Sequence, residues 1–124
     1  MPNQKLVLVA DDEEYWRVLL KRELEKLGCV VDIAASLFEA ATLVDSKKYD
    51  LVVSDNSMPD ENQGLTLLMH MRKTSDLNKG TRFILNTGDS GLEVQRKAYD
   101  LDGWYRNKYH NKISVYDMCA AGLE

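Results

Sequence analysis

The sequence is short of three things, each of which would have pointed to a class of function. It has two cysteines in 124 residues. Cys29 and Cys119 lie far apart and neither belongs to a C-x-x-C pair, which fits a reducing compartment better than a disulfide framework. Cys29 opens an apolar run and reads as a core residue. No apolar stretch approaches the ~18 residues that span a bilayer, and Met1 to Lys5 has no signal-peptide core, so a soluble, cytoplasmic chain without membrane contact is expected. Basic excess is missing too: 16 Lys and Arg stand against 20 Asp and Glu, a formal charge of -4. A free-standing nucleic-acid binder would need a basic face, so no direct nucleic-acid contact is expected. Repeats, low-complexity tracts and internal linkers are also absent. With 44% hydrophobic residues the chain has room for one domain over residues 1–124 and not for a two-domain enzyme. The closing Leu123-Glu124 has the form of a cloning scar, which leaves room for a natural chain that continues past it.

What is present is alternation. Leu6 to Ala10 is a continuous apolar run, the pattern of a strand buried on both faces, and it stops at Asp11-Asp12. From Glu14 to Leu27, Trp16, Leu20, Leu24 and Leu27 recur at helical spacing, and Gly28 marks the stop. The same unit then repeats in architecture: a strand over Cys29 to Ala34, a helix from Leu37 to Val44 capped by Ser36, and a buried strand from Leu51 to Ser54 ending in Asp55. A polar loop leads through Gly64 into a helix from Leu65 to about Lys73. Arg82 to Asn86 reads as a strand, Leu92 to Tyr99 as a helix and Trp104 to Asn107 as a short strand. The last helix is expected over Ile113 to Ala121, with Ile113, Tyr116 and Ala120 on one face. Five β/α units predict an open, doubly wound α/β fold, a five-stranded parallel sheet with helices on both faces, since five units are too few to close an eight-fold barrel.

In such a fold ligands sit outside the carboxyl ends of the strands. Standing there are Asp11-Asp12 after the first strand, Asp55 after the third, Thr87-Gly88 after the fourth and Lys108 after the fifth. Like charges ~4 Å apart repel by on the order of 4 kcal/mol at an effective dielectric of about 20, so three clustered carboxylates call for a cation. Hard oxygen ligands suit Mg²⁺, which keeps several waters and takes one or two carboxylates plus phosphate oxygens. A carboxylate beside Mg²⁺, with a hydroxyl and an ammonium nearby, can accept a phosphoryl group, and Asp55 is the best candidate for the acceptor. Each residue has a blander reading when taken alone. Asp11 or Asp12 could cap the following helix, Asp55 could be a turn residue, and Thr87 could simply end a strand. Lys112 is a rival to Lys108. His70 and His110 lack metal-ligand spacing and read as surface residues.

Asp11-Asp12 after an apolar strand, Asp55 followed by Met58-Pro59 and Gly64, Thr87-Gly88, and Lys108 near a fifth strand together resemble the receiver domain of two-component response regulators, whose fold is flavodoxin-like. The resemblance runs from about Lys5 to Ala121. It implies that Asp55 takes a phosphoryl group from a phosphohistidine on a sensor histidine kinase or histidine phosphotransfer protein. It further implies that Asp12 binds Mg²⁺ directly, Asp11 mostly through water, and that Asp55 and the Ser57 carbonyl complete the protein ligands. Lys108 would pair with a phosphoryl oxygen. The Thr87 hydroxyl would move to the phosphoryl group and Tyr105 would turn inward behind it, while Ser57 and Asp89 would tune how fast the group is lost to water.

The chain departs from the family pattern in several places. Tyr109 follows the lysine where a cis-proline is usual, and because a cis bond to a non-proline residue costs ~2.5–4 kcal/mol, a trans bond is expected there. Asn107 is polar where the strand is often apolar. The segment from Asp55 to Gly64 is about one residue longer than the pattern, and that from Thr87 to Lys108 about one shorter. Two alternatives follow from these differences and from the shared chemistry. One is a pseudo-receiver that keeps the fold and switches without phosphate. The other is a haloacid-dehalogenase-type phosphatase, which normally needs a second Asp where Ser57 stands. The last helix could also carry a homodimer, and a monomer is equally compatible.

Overall fold

In the computed structural model, which describes residues 4–109 and 112–124, strand and helix alternate five times. The readings made above for Met1 to Asn3 and for His110 fall outside the described residues. The elements are β1 (Leu6–Ala10), α1 (Glu14–Lys26), β2 (Val30–Ala34), α2 (Leu37–Ser46), β3 (Leu51–Ser54), α3 (Gln63–Lys73), β4 (Arg82–Thr87), α4 (Leu92–Asp100), β5 (Trp104–Asn107) and α5 (Val115–Gly122). All pairings are parallel and the strand order is β2-β1-β3-β4-β5. The chain therefore steps outward from β1 to β2, then returns across β1 to build the rest, and the order reverses between β1 and β3. No helix among the described residues is long and apolar enough to cross a membrane.

The apolar runs form strands because both faces of the sheet are covered. Along β1, Leu8 and Ala10 face a core completed by Val44 of α2, Leu67, Leu68 and Met71 of α3 and Ala98 of α4. Val7 and Val9 point the other way, into a second core with Trp16, Leu20 and Leu24 of α1 and Met118 and Cys119 of α5. Two-residue periodicity in the strands thus sorts the helices onto two sides. Cys29 and Cys119 are both buried free thiols in that second core, and burial pushes the Cys119 thiol up to about 12.

Helix ends follow local chemistry. Ser36 Oγ accepts the Glu39 N–H at the start of α2, and Ser114 Oγ accepts the Asp117 N–H at the start of α5. The second cap corrects the expected start of the last helix. Ile113 lies before the cap and is 55% exposed, while Met118, Cys119 and Gly122 form the buried side. The Ile113 carbonyl is instead taken by the Arg106 guanidinium at 2.9 and 3.1 Å. At the far end of the sheet, Arg72 donates to the carbonyls of Lys79, Thr81, Leu101 and Asp102, tying the loop before β4 to the turn after α4.

Candidate functional site

The reversal of strand order places the ends of β1 and β3 beside each other, with β4 and β5 following on one side. Asp55 leaves β3 directly, and its N–H is bound by the Ala10 carbonyl at 2.8 Å, so the two strand ends are locked in register. Asp55 Oδ1 accepts the Asn56 N–H at 2.7 Å, and Oδ2 accepts from Lys108 Nζ at 3.0 Å. Asp55 is 6% exposed. Behind it, the buried Asn56 side chain accepts the Leu65 N–H and donates to Asn62, which closes the base of the long loop into α3. This loop contains Met58–Pro59, the one cis peptide among the described residues. Gly64 passes so close that a Cβ there would press on the Asp55 carbonyl and lie 2.8 Å from Asn56 Cα. Glycine at this position is a packing requirement of the loop that carries Asp55.

At the end of β1, Asp11 is buried and Asp12 is exposed. Asp11 does not cap α1, whose N-cap is Glu13. Its Oδ1 accepts the Glu13 N–H at 2.9 Å, and its carbonyl accepts from Arg17 at 2.7 Å. Its Oδ2 lies 2.8 Å from Lys108 Nζ as an ion pair. Burial pushes the Asp11 carboxyl up to about 6 against the opposing pull of Lys108, and the neighbouring Asp55 charge adds to the rise. Lys108 responds in the opposite sense. Burial alone would lower its affinity for a proton, but Asp11 and Asp55 outweigh it and hold the ammonium above its ordinary range. The same Nζ lies 5.0 Å from the centre of the Trp16 ring and 3.4 Å from Glu13 Oε1.

The carboxylates of Asp11, Asp12, Glu13 and Asp55 offer oxygens that all lie within 4.8 Å of one another. Lys108 neutralises one charge of this set. An oxygen-only donor set of this kind, four carboxylates with one ammonium among them, fits a hard divalent cation. Glu13 was not anticipated from sequence, because an acid at the start of a helix reads as dipole compensation. Trp16 and Arg17, which position Lys108 and Asp11, carry no sequence mark beyond helical spacing.

Between these ends opens a cleft of about 400 Å³ whose lining includes Asp55, Ser57, Glu61, Thr87, Asp89 and Tyr109. Thr87 is the last residue of β4, buried, and its Oγ1 accepts the Asp89 N–H at 3.2 Å. Tyr105 does not line the cleft. It is half-buried, and its hydroxyl donates to the Asp89 carbonyl at 2.6 Å. The ring of Tyr109 lies on Gly88, with Cε2 2.7 Å from the position a Cβ would take. Lys112 is exposed and lines a different cleft, between β5 and α5. His70 pairs with Asp45 at 2.8 Å on the surface, away from the acidic cluster.

Comparison with known proteins bears on the family and the fold. The family model described as response regulator receiver domain matches residues 7–105. Among curated proteins, the sensor protein EvgS of Escherichia coli K12 is 40% identical over 60 residues, 48% of this chain and 5% of that protein. The two-component response regulator ARR11 of Arabidopsis thaliana is 38% identical over 73 residues, 57% of this chain and 14% of that protein. The chain thus spans a small part of the length of these relatives. Among solved structures, the response regulator TrrA of Thermotoga maritima, in complex with Mg(2+)-BeF, is 32% identical with a TM-score of 0.79, covering 97% of this chain and 100% of that one. A response regulator of Burkholderia pseudomallei with a phosphorylated aspartic acid and a calcium ion is 25% identical with a TM-score of 0.80, covering 98% of this chain and 67% of that one.

Proposed function

Since the chain belongs to the response regulator receiver domain family of two-component signalling, we propose that it accepts a phosphoryl group on Asp55 and thereby switches an output surface. The donor is a phosphohistidine on a sensor histidine kinase or histidine phosphotransfer protein. The observation that carries this reading is the placement of Asp55 Oδ2 3.0 Å from the buried Lys108 ammonium, on a cleft that both residues line and beside the carboxylates of Asp11, Asp12 and Glu13. The solved relatives with a phosphorylated aspartate and with Mg(2+)-BeF support it.

In the transfer, a carboxylate oxygen of Asp55 attacks phosphorus. An O–P bond forms as the P–N bond breaks, and the imidazole leaves with the bonding pair and takes up a proton from solvent. Asp11, Asp12, Asp55 and the Ser57 carbonyl, with Glu13 beside them, would hold Mg²⁺, which when bound shields charge on the phosphoryl oxygens. Lys108 exchanges its carboxylate partner for a phosphoryl oxygen, a charge-assisted contact. Thr87 Oγ1 turns from the Asp89 N–H toward the new group. That movement reaches Tyr105, whose hydroxyl is bound to the same Asp89. The switch is then a population shift biased by local bonds.

The test is incubation with acetyl phosphate and Mg²⁺, read by intact mass. One phosphoryl group is expected on the natural sequence and none on Asp55→Asn. Modification that persists in Asp55→Asn would overturn the assignment.

A further inference from the structure

The side chain that ends β5 holds two groups at once. Asn107, buried at the end of the strand, accepts the Tyr109 N–H through Oδ1 at 2.8 Å and donates through Nδ2 to the Tyr105 hydroxyl at 3.3 Å. Between its two partners stands Lys108, whose ammonium reaches Asp11 and Asp55. An N–H two residues on, bound to an Asn side chain, is the geometry of an Asx turn, and it fixes the direction in which the middle residue leaves the strand. The amide orientation is set by its partners. The Tyr109 N–H can only donate, so Oδ1 faces it, and Nδ2 meets a hydroxyl that has already given its own proton to the Asp89 carbonyl.

The bonds continue around the cleft. The Asp89 N–H goes to Thr87 Oγ1, and the Lys108 N–H goes to the Thr87 carbonyl at 2.9 Å. Asn107 therefore stands between the arm that carries Lys108 and the path that joins Thr87 to Tyr105. Both residues in which the sequence departs from its family pattern, Asn107 and Tyr109, meet in one hydrogen bond. A proline at 109 would have no N–H to give, and an apolar residue at 107 could not accept it.

We propose that Asn107 is a positioning residue: by holding the Tyr109 N–H it sets the turn that presents Lys108 to Asp55, and by its bond to Tyr105 it links that arm to the half-buried aromatic. The consequence for phosphorylation rests on the Asp55 reading above, whereas the turn itself does not.

Two measurements test it: amide hydrogen exchange of Tyr109, and the rate of modification by acetyl phosphate with Mg²⁺. The Tyr109 amide is expected to be protected in the natural sequence and to exchange about tenfold faster or more in Asn107→Ala, as the loss of one hydrogen bond allows. Asn107→Asp keeps an acceptor oxygen and should keep the protection, which also serves if the alanine variant does not fold. The modification rate should fall about tenfold in Asn107→Ala, the scale of one lost hydrogen bond. In a Tyr109→Pro background the same substitution should have a clearly smaller effect, because the N–H is already gone and the bond to Tyr105 is what remains to be lost, while in Tyr109→Ala, which keeps the N–H and removes the ring, the full effect should remain. An unprotected Tyr109 amide in the natural sequence, protection retained in Asn107→Ala or lost in Asn107→Asp, or additive effects of Asn107→Ala and Tyr109→Pro would each overturn the proposal. If the natural sequence takes no phosphoryl group, the Asp55 reading fails and the exchange measurements still decide the turn.

Discussion

Lys108 Nζ lies 2.8 Å from Asp11 Oδ2, with both side chains 1% exposed. Removing one partner of a buried pair leaves the other charge uncompensated, at a cost of about 3–5 kcal/mol. Lys108→Met should therefore lower the unfolding free energy by about 3 kcal/mol in the presence of a chelator. Mg²⁺ should recover part of the loss, since a divalent cation supplies the missing positive charge. Urea unfolding with and without Mg²⁺ measures both; an equal loss in the two conditions would separate the metal from the carboxylates.

Metal binding should also be visible at Trp16. Its ring lies 5.0 Å from the Lys108 ammonium, which shares Asp11 and Asp55 with the expected cation site. In a Trp104→Phe background, which leaves Trp16 as the one indole, Mg²⁺ titration should change the fluorescence with saturation. Asp12→Asn should weaken the apparent affinity by about tenfold or more, the usual scale for losing an oriented ligand-shell carboxylate. Unaltered affinity in Asp12→Asn would remove that residue from the ligand set.

Gly64→Ala should destabilise the protein by about 1–3 kcal/mol, the range for an overpacked methyl group. The added Cβ would meet the Asp55 carbonyl and Asn56 Cα, which are backbone atoms and cannot swing away. Phosphoryl acceptance should fall with stability, because the same loop carries Asp55. Gly80→Ala, where a Cβ meets nothing within 4 Å, is the control and should stay near the natural sequence.

On the edge strand β2, Asp32 accepts from Tyr49 Oη at 2.8 Å and from Lys47 Nζ at 3.0 Å. Burial works against its charge, but these two donors win and hold its carboxyl below the ordinary value of 3.8. A carboxyl with a lowered folded pKa contributes stability above its ordinary pKa and loses it as pH falls through the folded value. Asp32→Asn should therefore cost on the order of 1 kcal/mol at pH 7. The gap should close as the pH is lowered below 3.8, and urea unfolding across that range checks the sign.

Much of the fold was legible in the sequence because the strands are buried on both faces and the helices on one. Leu6 to Ala10 and Leu51 to Ser54 announce themselves as unbroken apolar runs, and α1 as Trp16, Leu20 and Leu24 at helical spacing. That Asp11, Asp12, Asp55, Thr87 and Lys108 stand around one crevice was readable because the fold type puts strand ends together. The residues that hold them were not. Arg17 and Asn56 act on backbone groups, which are the same at every position and leave no trace in residue type. The start of α5 was misplaced for a related reason: the side chain of Ile113 continues an apolar pattern, but its carbonyl belongs to Arg106 and its successor Ser114 is the cap.

The sheet order has a further consequence for how the site fails. Asp11 and Asp55 are rooted in the two strands at the middle of the sheet, whereas Lys108 follows β5, an edge strand bonded to β4 alone. Edge elements open locally at less cost than central ones. Fraying at that edge withdraws the cation and leaves the anions standing together, so their repulsion opposes reclosure. On warming, phosphoryl-accepting competence should therefore disappear before the sheet does, a separation that activity and far-ultraviolet circular dichroism followed on one sample would display as two distinct midpoints.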